Sequence, residues 1–114
     1  MSEAAPQATL EWHAVPVPFP AVGRTCGFEA GGVRLVLCNA EGEPYVLHDE
    51  CPHVRVPLSG GKLVGTVLEC PLHGGKIDVR DGAPAGLPIR ARARCVAVRE
   101  RAGQLEVGLP SAAD

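Results

Sequence analysis

Four metal donors stand in this chain as two short pairs: Cys51-Pro52-His53 and, sixteen residues further on, Cys70-Pro71-Leu72-His73. Thiolates are strong, charged donors to iron, whereas neutral imidazoles are weaker and uncharged. Two of each, divided between two loops, meet the needs of a mixed-ligand iron–sulfur centre in which Cys51 and Cys70 hold one iron and His53 and His73 the other. Charge explains why such a set matters. Two ferric ions, two sulfides and two thiolates sum to zero, so an added electron leaves one negative charge. A four-Cys centre is already doubly negative before it accepts an electron. The mixed set therefore takes an electron at a higher potential. Two Cys and two His also suit tetrahedral zinc, so a structural zinc-binding interaction module is the alternative from a different functional class. Zinc modules, however, usually pair Cys with Cys and His with His. One of each per loop points to one-electron redox chemistry.

The elements that position these loops are strands. Between Arg24 and Leu109 the apolar period is mostly two. Val33, Leu35 and Leu37 alternate with Arg34, Val36 and Cys38; Ile77 and Val79 with Lys76, Asp78 and Arg80; Leu105, Val107 and Leu109 with Gln104, Glu106 and Gly108. Turn signals fall between the runs at Gly31-Gly32, Glu41-Gly42, Gly60-Gly61, Asp81-Gly82 and Ala102-Gly103. Short strands so spaced predict an all-β sandwich or barrel. The first ligand loop, His48 to Ser59, follows a strand around Tyr45–Leu47. The second, Pro71 to Gly75, follows a strand over Leu63–Glu69. A first strand near Glu11–Val15 leads into Val15-Pro16-Val17-Pro18-Phe19-Pro20, an extended connector because alternating prolines lack the helix donors. Ile89–Cys95, with Arg90, Arg92 and Arg94 on one parity, reads as a solvent-facing edge strand rather than a binding patch.

The chain has 114 residues, a formal charge of −2 and a hydrophobic content of 46%, with 14 Gly and 11 Pro. It is read as one folded, turn-rich domain over residues 1–114, with about 10–109 folded and loose ends at Met1–Thr9 and Pro110–Asp114. The charge balance gives no nucleic-acid or membrane surface. No apolar run approaches the ~20 residues of a membrane helix, and the N-terminus lacks an export signal. Five Cys, an odd count, favour a reducing cytoplasm. A monomer is expected.

The motifs carry a resemblance. Cys51-Pro52-His53-Val54-Arg55-Val56-Pro57-Leu58-Ser59-Gly60-Gly61 and Glu69-Cys70-Pro71-Leu72-His73-Gly74-Gly75-Lys76-Ile77-Asp78-Val79-Arg80-Asp81-Gly82 resemble the two boxes of the Rieske [2Fe–2S] family. The likeness runs from about Trp12 to Leu109 and is nearest to the small ferredoxins that serve bacterial ring-hydroxylating dioxygenases. Val54, where a small residue is common, and Ile77, where Phe or Tyr is usual, depart from the pattern without removing a ligand. The resemblance implies a Rieske-type antiparallel β-scaffold with a cluster-binding subdomain inserted over about residues 48–88. It implies one [2Fe–2S] cluster on Cys51, His53, Cys70 and His73. Gly74 and Gly75 would bring backbone N–H groups to the sulfides, and Pro88 would lie in a third loop covering the cluster or serve as an ordinary turn proline.

High-potential relatives carry Ser and Tyr hydroxyls after the second His, and a disulfide bracing the two loops. The matching residues here are Gly75 and Ile77, and Val56 and Leu72, so a low potential is expected. The resemblance implies an electron carrier rather than an enzyme. A flavin-dependent, NAD(P)H-oxidising reductase would reduce it, and a terminal aromatic-ring-hydroxylating oxygenase would accept the electron, both docking transiently at the His53/His73 tip. Two other acceptor systems share this chemistry, a di-iron monooxygenase and, through a small subunit, an assimilatory nitrite reductase. Outside the boxes, Cys26, Cys38 and Cys95 read as inert packing residues, His13 and His48 lack a ligand partner, and His48-Asp49-Glu50 caps the turn or lines the docking rim.

Overall fold

The computed structural model describes residues 9–110. Of the expected loose ends Met1–Thr9 and Pro110–Asp114, residues 1–8 and 111–114 lie outside it, while Pro110 is not loose but the last residue of a strand, paired with Leu10. Among the described residues every regular element is a strand: β1 (Leu10–Ala14), β2 (Thr25–Ala30), β3 (Val33–Ala40), β4 (Glu43–His48), β5 (Lys62–Val64), β6 (Val67–Glu69), β7 (Lys76–Asp78), β8 (Pro84–Gly86), β9 (Cys95–Arg101) and β10 (Gln104–Pro110). All pairings are antiparallel. A six-stranded sheet runs in the order β1-β10-β9-β4-β3-β2, and a four-stranded meander runs β5-β6-β7-β8. The meander is inserted between β4 and β9, so it and its flanking loops occupy residues 49–94.

Local chemistry sets the hairpins. Ala30↔Val33, Ala40↔Glu43 and Arg101↔Gln104 are closed by two-residue turns. Both central residues have positive φ in each: Gly31-Gly32, Glu41-Gly42 and Ala102-Gly103. That is the type I′ geometry that matches the twist of paired strands. A fourth tight turn corrects the sequence reading. Leu63–Glu69 is not one strand but two, β5 and β6, paired Val64↔Val67 across Gly65-Thr66. Gly65 takes φ +60°, which puts a two-residue turn where simple periodicity predicted continuous strand.

A second correction concerns β3. Leu35, Val36, Leu37 and Cys38 are all fully buried, so this strand is not half-solvated as alternation suggested. One face, with Leu35 and Leu37, packs with Val15, Phe28, Val46, Val107 and Leu109. The other, with Val36 and Cys38, packs with Leu47, Leu58, Leu68, Ile77, Val79 and Ile89. The large sheet is thus sandwiched between its own core and the inserted meander, and a strand covered on both sides loses its period-two signature. Each such buried Leu or Ile stabilises by about 1.5–3 kcal/mol relative to an exposed one.

The segment Ile89–Arg94 is not a strand; only Cys95 of that stretch begins one. Ile89 and Ala93 are buried while Arg90, Arg92 and Arg94 are exposed. The reason is anchoring from below: Ala93 N–H donates to the Gly82 carbonyl at 2.9 Å and His48 N–H to the Arg94 carbonyl at 2.9 Å. The expected connector Val15–Pro20 lacks helix, and Val15 N–H donates to the Leu105 carbonyl at 2.9 Å.

Candidate metal centre

Both ligand loops are built the same way. Cys51 N–H donates to the Val56 carbonyl at 2.8 Å, and Cys70 N–H donates to the Gly75 carbonyl at 2.7 Å. Each bond closes a loop from the Cys to the residue five positions on, with the His between. The first loop is further held by Asp49. Its Oδ1 accepts from the Leu58 and Ser59 N–H groups, each at 2.7 Å, and its Oδ2 accepts from the Ser59 hydroxyl at 2.7 Å. Asp49 therefore caps the loop, and its side chain is 1% exposed. The Arg34 guanidinium lies 3.6 Å from Oδ2 and offsets part of the buried charge.

These loops bring the four donors together as two pairs of different burial. Cys51 and Cys70 are buried, with their thiols in hydrogen-bonding reach of each other. His53 and His73 are exposed, their rings edge to face with centroids 5.5 Å apart. The donors are grouped two and two. Among the described residues no three His, Cys, Asp or Glu side chains are placed to hold one metal ion, as a tetrahedral zinc site requires. A sulfur pair inside and a nitrogen pair outside is the donor chemistry of an asymmetric two-iron group, and the residues fit it.

Burial pushes the Cys70 thiol above its ordinary range. The Leu72 N–H aimed at its sulfur opposes the rise, the Cys51 thiol adds to it, and the His73 N–H again opposes it. The free thiol is thus protonated near neutrality, and binding iron must displace that proton. The N–H groups of Leu72 and His73 are sulfur donors that sequence reasoning missed, because a backbone direction is set by the turn rather than by residue type. Gly74 requires the opposite adjustment. Its N–H donates to the Cys70 carbonyl at 3.0 Å, so it serves the turn and not a sulfide, and its φ of +73° is what the turn asks of a glycine.

Gly75 is buried. A Cβ there would lie 2.7 Å from Ile89 Cγ1 and 3.2 Å from Pro88 Cδ. Pro88, joined to Leu87 by a cis peptide bond, thus lies in a third loop seated on the second ligand loop. Ile77 is fully buried beneath them. Beyond the centre, Cys38 is buried as expected. Cys95, however, is exposed and Cys26 half-buried, so these two do not pack in the core; Cys95 opens β9 at the rim of the large sheet. His13 lies 4.0 Å from Glu11. Burial, with help from Arg94 and against Glu50, holds His48 below the ordinary imidazole range.

Comparison with known proteins agrees with this geometry. The model of the Rieske [2Fe–2S] domain matches residues 17–100. The chain is 36% identical over 109 residues to the anthranilate 1,2-dioxygenase ferredoxin subunit of Burkholderia cepacia, covering 90% of this chain and 97% of that one. It is similar to the ferredoxin of carbazole 1,9a-dioxygenase from Nocardioides aromaticivorans IC177, with TM-score 0.76 at 26% identity over 87% of this chain and 96% of the other. It is also similar to a chain in the complex of reduced oxygenase and oxidized ferredoxin in carbazole 1,9a-dioxygenase, with TM-score 0.72 at 30% identity over 77% and 91%. Paired donors on paired loops, an all-β scaffold with an inserted meander and relatives that are ferredoxins converge on one assignment. The chain belongs to the Rieske [2Fe–2S] domain family, as an electron-carrying ferredoxin with a single Rieske cluster.

Proposed function

We propose that Cys51 and Cys70 hold the inner iron, that His53 and His73 hold the outer one, and that the chain carries single electrons to the terminal oxygenase of an aromatic-ring-hydroxylating dioxygenase system. One observation carries the reading: two loops of the same build, each with one Cys and one His, bring the buried thiols together and the exposed imidazoles together, so the two His edges are the solvent-facing route between the centre and a docked partner. The bound cluster supplies the one-electron couple. The protein supplies the rest. The Asp49-capped first loop and the Cys70–Gly75 turn fix the donors before metal arrives, and the N–H groups of Leu72 and His73 support negative charge on the Cys70 sulfur. Leu72, 55% exposed, offers the partner an apolar contact beside His73, with Val56, Pro57 and Pro71 around it.

The electron donor in this reading is a flavin-dependent reductase oxidising NAD(P)H. Contacts with both partners are transient and below ~1,200 Å², and the carrier works as a monomer in the cytoplasm, where the three cysteines outside the centre, Cys26, Cys38 and Cys95, stay as thiols. Among the described residues no helix is long and apolar enough to cross a membrane. The missing hydroxyls at Gly75 and Ile77 support a potential in the lower part of the range of about −150 to +300 mV.

The test mixes the reduced holoprotein anaerobically with the purified oxygenase component of the Burkholderia cepacia anthranilate 1,2-dioxygenase system and follows both visible spectra. Oxidation of the carrier with matching reduction of the oxygenase is expected, as is a midpoint below zero. A carrier that stays reduced beside an oxidised oxygenase would remove the proposed acceptor, and a midpoint above zero would remove the low-potential assignment.

A further inference from the structure

The arginines beside the first ligand loop form a surface that the carrier reading does not use. Arg34, Arg55 and Arg94 line a groove of about 570 Å³ together with Asp49 and Glu50. It continues into a second groove of about 330 Å³ lined by Arg55, Arg92 and Arg94. The second reaches Cys51 and Pro52, so whatever sits there touches the loop that holds the centre.

Charge is concentrated in this place. Four guanidinium groups line the two grooves against Asp49 and Glu50, with Asp81 a third carboxylate beside Arg92; the whole chain carries a formal −2, so its other residues hold three more negative than positive charges. Asp49 is spent on Leu58 and Ser59. Glu50 alone is shared between Arg55 at 3.4 Å and Arg94 at 3.7 Å. The guanidinium side chains are 61% exposed at Arg34, 91% at Arg55, 64% at Arg92 and 68% at Arg94. Arg92 donates to the Asp81 carbonyl at 3.1 Å, and its guanidinium lies 3.8 Å from the Asp81 carboxylate. Arg34 stays beside the buried Asp49 carboxylate at 3.6 Å, but the exposed pairs of Arg55, Arg92 and Arg94 are weak, so these three can exchange them for a partner's carboxylates. His48, on the floor of both grooves, is held below its ordinary range by burial and by Arg94 and adds no charge at pH 7.

We propose that this arginine-lined groove is a docking surface for the carboxylate-rich face of a protein electron partner, which it steers onto the Cys51–His53 loop. The identification rests on the carrier reading for what the partner does. A nucleic acid would need a broad field of one sign, which a chain of net −2 with Glu50 set among its arginines does not offer. A groove this open, with Pro57 and Val33 in its walls, suits the mixed surface of a protein better than a lone anion. Opposed charges at such a rim act chiefly on encounter rate and are screened by salt.

The probe is fluorescein-labelled poly-L-glutamate, titrated into the oxidised holoprotein and read by anisotropy, with inorganic phosphate and oligothymidylate as competitors. Saturable binding at low ionic strength that weakens at least about tenfold at ~0.5 M salt is expected. R55E/R94E should weaken it about tenfold, and the milder R55Q/R94Q by less, with the visible spectrum of the cluster unchanged in both. The same R55E/R94E change should slow electron transfer to the oxygenase of the preceding test about tenfold. No binding, or binding that ignores both double variants, overturns the proposal. Displacement by low-millimolar phosphate would make the groove a small-anion site, and tighter binding of oligothymidylate a nucleic-acid site; either overturns it. Lost polyglutamate binding with unchanged electron transfer overturns the docking role while leaving the carrier reading intact.

Discussion

At the residue scale the centre depends on side chains that are not ligands. Asp49 ties the end of the first loop to its start through three hydrogen bonds. Removing it leaves the Leu58 and Ser59 N–H groups without their acceptor. Asp49→Ala should cost about 2–4 kcal/mol, and Ser59→Ala, which removes a single bond, about 1 kcal/mol. The urea midpoint followed by cluster absorption checks both, and equal midpoints for the two variants would contradict the capping role. Cys38 gives a pH signature. Burial raises its thiol from 9.0 to about 12, with smaller contributions from Asp49 and Cys95. The folded state thus favours the protonated thiol, so this stabilisation is complete below pH 9 and is lost as pH rises from 9 towards 12. Cys38→Val should flatten the alkaline fall in stability measured by circular dichroism; an unchanged slope would rule this out. In native protein a thiol reagent should label Cys95, which is exposed, and spare Cys38. The four proposed donors stand out in the sequence because each pair lies within four residues. Asp49 as a cap was only one of two readings, since its partners lie nine and ten residues away, a distance no short motif spans.

At the element scale the alternating runs and the Gly-containing turns were legible because both are local. Three boundaries were not. Gly65 turns the chain inside an apolar run, β3 is covered on both faces, and Ile89–Arg94 is pinned by bonds from Gly82 and His48; each depends on what packs against the segment rather than on the segment itself. The third loop gives this scale its prediction. Because a Cβ on Gly75 would meet Ile89 and Pro88, Gly75→Ala should destabilise by about 1–3 kcal/mol. Ile89→Ala alone should cost about 2–5 kcal/mol. If the loops interlock, the double variant should cost less than the two single changes together. Strict additivity in denaturant midpoints would separate the loops.

At the scale of the whole molecule the fold divides its work. The six-stranded sheet buries an ordinary core on one side and uses the other as a bed for the meander. The meander and its loops carry sulfur donors inward and nitrogen donors outward. In the proposed reading electron exchange is thereby confined to the tip, where Leu72 and the His53 and His73 rings are exposed. Leu72→Asp, which places a charge in that apolar contact, should slow electron transfer to the oxygenase about tenfold while the cluster spectrum stays intact. An unchanged rate would move the docking site away from the tip. The overall architecture was legible from strand spacing and the two boxes; the basic groove was not, because Arg34, Arg55 and Arg94 come from three distant segments that only the tertiary fold brings together.

The central claim is that two sulfur and two nitrogen donors grip a two-iron group unequally. Mössbauer spectroscopy of the oxidised protein reconstituted with ⁵⁷Fe tests it most directly. Two quadrupole doublets of equal area and unequal isomer shift are predicted, the more positive shift from the iron on His53 and His73. A single doublet, or protein without stoichiometric iron and acid-labile sulfide, would contradict it.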